Sequence, residues 1–384
     1  MRVAYLFALQ RSECNNAVSG GKMLDIAAGT VRAYYLFDVA DSIDLAKAGV
    51  LGAQSRAPAA FPLHPLAQPY LQFPAPPLVA DLGDAQFQTL RGLVRLKLYD
   101  YGVISLRLSF PVAGSWGDLN AVVDRARSDE RMASFAQAEV ERICDEYAEA
   151  FDDRHPPLIE DYLIVEIDRF TENVDAETLI DDHAAALASL LLGERKRLAG
   201  SEAEEALRMR FSYYEDDLTI VQWDTAFVYD RGESALAIED ILEFANSQLL
   251  ELRTYDALLD NELDAIYKMQ PGRPPRSLRG RHEAEQAATL RYLIVDVLEL
   301  TDRSTNALKV VGDAYYARIY RAAATRLGLS DWQRQIDTKL ASVREMYRFF
   351  SDQARSRRDE FLEVTIVALV AIEVIIGILT LMHL

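Results

Sequence analysis

The run LVRLKLYDYGVISLRLSF, Leu93–Phe110, decides the fold. Leu93–Tyr99 and Val103–Phe110 alternate apolar and polar side chains on either side of Asp100, Tyr101 and Gly102. That period of two predicts an antiparallel hairpin turning through Gly102. A lone hairpin is barely stable in water, so more strands and a covering layer are expected around it. Upstream, Arg2–Leu9 and Val31–Asp38 read as strands, the second leading into a short helical stretch through Asp44. Downstream, helical sequence at Leu119–Phe151 and Asp175–Leu192 flanks a strand, IEDYLIVEIDRF. Further strands follow over Met209–Tyr229, broken by the acidic turn Glu215, Asp216, Asp217. Interleaved strands and helices predict an α+β domain over residues 1–232. Six prolines between Phe61 and Pro77 force an extended covering arm with at most one short edge strand.

From Ser234 the period changes. Ile238, Ile241, Ala245, Gln248, Leu252, Tyr255 and Leu259 step by three and four, as do Ala287–Tyr315 and Trp332–Phe350. This predicts long helices with narrow apolar seams over 233–360, packed as antiparallel, coiled-coil-like hairpins or against another subunit.

The last segment, 361–384, is expected to be a transmembrane anchor. Val364–Leu384 is 21 residues long, and 13 of them are Ile, Val or Leu. About 20 apolar residues span a bilayer core as a helix. Each aliphatic residue favours insertion by roughly 0.3 to 0.6 kcal/mol against about 3 for the central charge of Glu373, so the sum favours insertion. Aliphatic residues occupy every angular position, which leaves no polar face for water. Glu373 is then protonated or paired with a neighbouring helix, which makes it an intramembrane contact, with Glu363 beside it. Arg355, Arg357 and Arg358 precede the run, so the positive-inside rule places the N-terminal body in the cytoplasm.

The net charge is −19, and it is concentrated. Ser201–Asp264 holds 17 acids against four arginines, a net of −13, which makes general nucleic-acid binding unfavourable. Lys268–Arg281 reverses the sign with five cations and no acid. Its Arg273, Arg276, Arg279 and Arg281 are candidates to touch lipid headgroups, RNA or another anion. Asp256, Asp260 and Asp264 form an i, i+4, i+8 stripe, either solvated or docked on cations of that loop or of another chain.

Catalytic signatures are scarce. The two cysteines lie far apart, which fits a reducing compartment, and the five histidines form no metal-ligand spacing, so no metal or other cofactor is expected. SGGKM at Ser19–Met23 lacks the spacing of a phosphate loop, and the acids of Asp181–His183 read as complements to a helix start. The N-terminal residues carry no signal- or transit-peptide layout.

LRTYDALLDNELDAIY, Leu252–Tyr267, and LEVTIVALVAIEV, Leu362–Val374, resemble the C-terminal signature of the required-for-meiotic-nuclear-division family. Leu362, Glu363, Ile372 and Glu373 fall on its positions, whereas Val364 stands where that family usually has tryptophan. The resemblance implies a membrane-anchored, non-enzymatic protein whose mitochondrial relatives support translation, and it brings no catalytic residues. The expected function is therefore an oligomeric scaffold on the inner face of a bacterial cytoplasmic membrane that recruits a partner such as the translation machinery. The alternative is a nucleotide- or metal-dependent sensor or enzyme with a pocket in the N-terminal domain.

Overall fold

A computed structural model describes residues 24–54, 64–65, 71, 73, 75–268, 313–345, 348, 365–367 and 369. The expected hairpin is present as β4 (Leu90–Leu98) and β5 (Val103–Gly114), paired from Leu98↔Ile104 outward. The turn needs Gly102, whose φ is +87°. On one side the hairpin pairs with β3 (Leu78–Phe87) and the edge strand β2 (His64–Pro65), within the proline-rich arm. On the other side lies β1 (Ile26–Ile43), then β6 (Phe151–Phe170), β9 (Thr225–Tyr229), β8 (Leu218–Val221) and β7 (Arg210–Phe211). The order β2-β3-β4-β5-β1-β6-β9-β8-β7 makes one nine-stranded sheet, antiparallel except for the β6–β9 pair.

Both faces of this sheet are covered, so its central strands are long and buried. On the first face, Val31, Ala33, Tyr35 and Phe37 of β1 meet Leu96, Leu106, Val165 and the helices α2 (Trp116–Ser128), α3 (Glu130–Glu146) and α4 (Ala176–Leu192). The short helices α1 (Leu45–Gln54) and α5 (Gly200–Ala206) complete this layer. The alternate β1 residues Tyr34 and Leu36 face the second layer, built from α6 (Glu233–Lys268), α7 (Ala314–Arg326) and α8 (residues 329–345).

Two helical expectations change in the structure. The helical sequence of Leu119–Phe151 folds as two helices, because Asp129 leaves helical geometry at φ −85°, ψ 93° and caps α3 through the Arg131 amide. The coiled-coil-like seam on α6 is instead, over residues 241–252, a stretch buried all round between the sheet and α7 and α8. A helix covered on two sides has no use for a narrow stripe. The described helices α6, α7 and α8 are thus the second covering layer of the α+β body. The strand expected at Arg2–Leu9, Ser19–Met23 and most of the seam over Ala287–Tyr315 lie outside the described residues.

Among the described residues no helix is long and apolar enough to cross a membrane. The expected anchor lies outside them except for residues 365–367 and 369, which are helical.

Candidate functional site

Polar residues on the second sheet face should, by alternation, point to water. Here they point at α6. Arg32 on β1, Lys97 on β4 and Arg107 on β5 lie on neighbouring strands, and Glu239, Asp240 and Glu243 sit within one turn and a residue of each other on the helix. Arg32 pairs with Glu166 of β6 and, at 2.6 Å, with Glu239. The Glu239 carboxylate also accepts from the Arg107 guanidinium and the Tyr34 hydroxyl, each at 3.4 Å. Lys97 Nζ donates to Asp240 at 2.8 Å and to Glu243. Farther along, Arg253 of α6 pairs with Glu160 of β6, and the Tyr101 hydroxyl lies 2.8 Å from that of Ser247.

Burial opposes a charge on Lys97, but Asp240 and Glu243 outweigh it and hold the ammonium above its ordinary pKa. Burial pushes the Glu239 carboxyl up while Arg32 and Arg107 pull it back, leaving a net rise. Four cations thus meet five carboxylates across the sheet and α6, each cation paired with at least one of them.

At the end of this layer, where β1 bulges against β6 between Asp38 and Ala40, a partly open cleft with room for about one water molecule is lined by Asp38, His155, Tyr101, Glu251, Thr254 and Tyr255, among others. His155 Nε2 lies 3.4 Å from Asp38 Oδ1. Burial raises the Asp38 pKa against the hydrogen bond from His155. Burial also works against the imidazolium, but the hydrogen bond and charge of Asp38, the Pro156 carbonyl and Asp41 outweigh it, so His155 rises above its ordinary 6.5. A group bound more tightly to its proton in the folded state stabilises fully below its unfolded pKa and loses that contribution as pH rises through the folded value. Unfolding free energy is therefore expected to fall across the interval just above pH 6.5, and His155→Asn is expected to flatten that slope. Urea titrations at several pH values read this directly, and identical slopes for the two proteins would exclude the imidazole as its source.

Among the described residues, no group of three or more His, Cys, Asp or Glu is placed to hold a metal ion. The acidic stripe has partly found a cation: Lys339 of α8 lies 2.7 Å from Asp256 and 2.6 Å from Asp260. That cation is neither of the expected partners, the arginine loop or another chain. Asp264 is exposed on the same helix. Asp181 and Asp182 are exposed within α4, whose N-cap is Asp175. Glu363, Glu373, Arg355, Arg357, Arg358, Arg273, Arg276, Arg279 and Arg281 lie outside the described residues. Sequence reading missed the sheet–α6 charges. The signal was there in the shared parity of Arg32, Lys97 and Arg107 on hairpin-linked strands, met by acids spaced i, i+1, i+4 on a helix that otherwise reads as core.

A family described as "Uncharacterized protein MJ0711, N-terminal domain" matches residues 28–235. That span runs from β1 to the first turn of α6 and lies upstream of the stretches that carry the meiotic-nuclear-division resemblance. The archaeal "Uncharacterized protein MJ0711" of Methanocaldococcus jannaschii is 25% identical over 209 residues, 54% of this chain and 63% of that protein. No solved structure matches.

Proposed function

The chain belongs to the family of the uncharacterized protein MJ0711 N-terminal domain, and from that premise we propose that it is a non-enzymatic scaffold held at a membrane by residues 364–384. The observation that carries this reading is the state of Ile366, Val367 and Leu369. These residues are helical and 60%, 63% and 61% exposed, so the described body does not cover these three aliphatic side chains. Aliphatic side chains left open on a helix are costly in water and favourable in hydrocarbon.

The resemblance to the required-for-meiotic-nuclear-division family supports the same reading. It extends it to the inner face of the cytoplasmic membrane, with Arg355, Arg357 and Arg358 on the cytoplasmic side and Glu373 as the contact between copies or with a partner span. In that setting the α6–α8 layer is a rigid mount, and Arg273, Arg276, Arg279 and Arg281 are placed in sequence to meet an anionic partner such as ribosomal RNA. The sensor or enzyme reading has one feature in its favour, the Asp38–His155 cleft.

The test is flotation of the full chain with phospholipid vesicles, followed by alkaline carbonate extraction. The chain is expected to float and to resist extraction. Recovery in the carbonate supernatant overturns the proposal.

A further inference from the structure

Two adjacent tyrosines stand out from the surface between β7 and β8. Tyr213 and Tyr214 are 61% and 69% exposed, in the sequence Phe211-Ser-Tyr-Tyr-Glu-Asp-Asp217. They are not a loose loop tip. Both carboxylate oxygens of the buried Asp217 accept from their backbone amides, at 2.7 Å each, and the Glu215 carbonyl accepts from the Ala176 amide at the start of α4. The Tyr213 ring meets Tyr214 edge-on at 4.8 Å and Tyr315 of α7 edge-on at 5.3 Å. The result is a fixed ledge of aromatic rings flanked by the exposed carboxylates Glu215 and Asp216.

Rigid exposed tyrosines lose little conformational freedom when covered, which is why they recur as anchors of interfaces. The charges around the ledge decide what covers it. Glu215, Asp216, Asp217, Asp230 and Asp313 belong to this end of the molecule and outnumber the cations there, Arg231 and Arg318; Asp216 and Asp217 are close enough to Asp230 to raise its pKa on top of the larger effect of burial. Phosphate-bearing lipid or RNA is repelled there. An arginine is favoured twice, by stacking on a ring and by pairing its guanidinium with a carboxylate. The molecule already carries out half of this in its own fold, since the Arg318 guanidinium lies 5.4 Å from the Tyr315 ring centre in the same aromatic group.

We propose that the Tyr213–Tyr214 ledge is a docking surface for an arginine-bearing basic segment of a partner protein. This names the chemistry of the partner that a scaffold requires, and it stands or falls separately from membrane attachment.

The probe is a fluorescein-labelled peptide of alternating arginine and glycine, titrated against the purified full chain at about 0.1 M salt, where surface charges act over roughly 10 Å. Saturable one-to-one binding is expected. The pair Tyr213→Ser with Tyr214→Ser leaves the charge untouched and should weaken it about tenfold, because two ring contacts are lost. A lysine–glycine peptide of equal charge should bind more weakly than the arginine peptide to the parent chain. Because an acidic protein attracts any polycation, the decisive comparison is at constant charge. Equal binding by parent and double variant, or by the two peptides, overturns the proposal, as does the lack of saturation. Asp216→Asn provides a second variant that leaves the rings in place, and it should also weaken the arginine peptide; unchanged binding there argues equally against the proposal.

Discussion

Gly102→Ala is expected to cost about 4 kcal/mol or more, the range in which single substitutions unfold marginal proteins. Part of the cost is intrinsic, since φ of +87° puts an L side chain in strained backbone at roughly 1–2 kcal/mol. The larger part is collision. A Cβ built on Gly102 lies 1.7 Å from the Ala40 carbonyl oxygen and 2.9 Å from its carbon, and both are backbone atoms that no rotamer change can move. They belong to β1, the central strand, which is tied to this turn by Val39 N–H to the Gly102 carbonyl at 3.1 Å and Ile43 N–H to the Asp100 carbonyl at 2.8 Å. Relieving the clash therefore pulls β1 from the hairpin beside the Asp38–His155 cleft. Gly83→Ala is the matched control: its φ is +85°, but nothing lies within 4 Å of the added methyl, so only the intrinsic penalty of about 1–2 kcal/mol applies. Urea denaturation of both variants checks the difference. Equal losses would mean that the close approach to Ala40 is not what fixes glycine at this turn.

The same turn marks what the sequence made legible. Alternation over Leu93–Phe110 located two strands to within a few residues, because one period and one glycine specify them locally. The strand through Val31–Asp38 is present but longer than expected, and the helical stretch expected through Asp44 is strand as far as Ile43. β1 runs from Ile26 to Ile43, and its ends, Ile26-Ala-Ala-Gly and Ala40-Asp-Ser-Ile, carry no β signal of their own and are held by partners on both sides. The break at Asp129 inside the helical sequence of Leu119–Phe151 has no local mark, because aspartate ends a helix only where its side chain caps the next one. The sheet–α6 layer was only half legible: the acids at i, i+1 and i+4 on an apolar helix were a signal, but a charged residue in an alternating strand looks identical whether it faces water or a buried counter-charge 143 residues away, the separation of Lys97 and Asp240. The concentrated acidity of Ser201–Asp264 was read as surface, yet Glu239 and Glu243 are 1% and 4% exposed.

Lys97→Met is expected to cost about 3–5 kcal/mol, the usual result of breaking a buried ion pair from one side. The methionine fills much of the volume, so the loss comes from charge: Asp240 and Glu243 keep their carboxylates beside each other without the ammonium that joined them. At the ammonium end, the lysine and glutamate side chains are 7% and 3% exposed, so neither water nor salt can replace the missing cation, and the loss should change little between low and high ionic strength. Two consequences separate this from a packing defect. Adding Glu243→Gln to Lys97→Met should recover part of the stability, on the order of 1–2 kcal/mol, because an amide costs less to bury than an unpaired carboxylate. Acid should also narrow the gap between Lys97→Met and the parent. Two buried carboxylates left without a cation repel each other, and a proton taken up between them relieves that repulsion, so stability returns as pH falls. Urea titrations of the single and double variants at pH 7 and pH 5 decide the matter. If the double variant is no more stable than the single, and the deficit is the same at both pH values, then Lys97 serves by packing and the charges of this layer are not what seats α6 on the sheet.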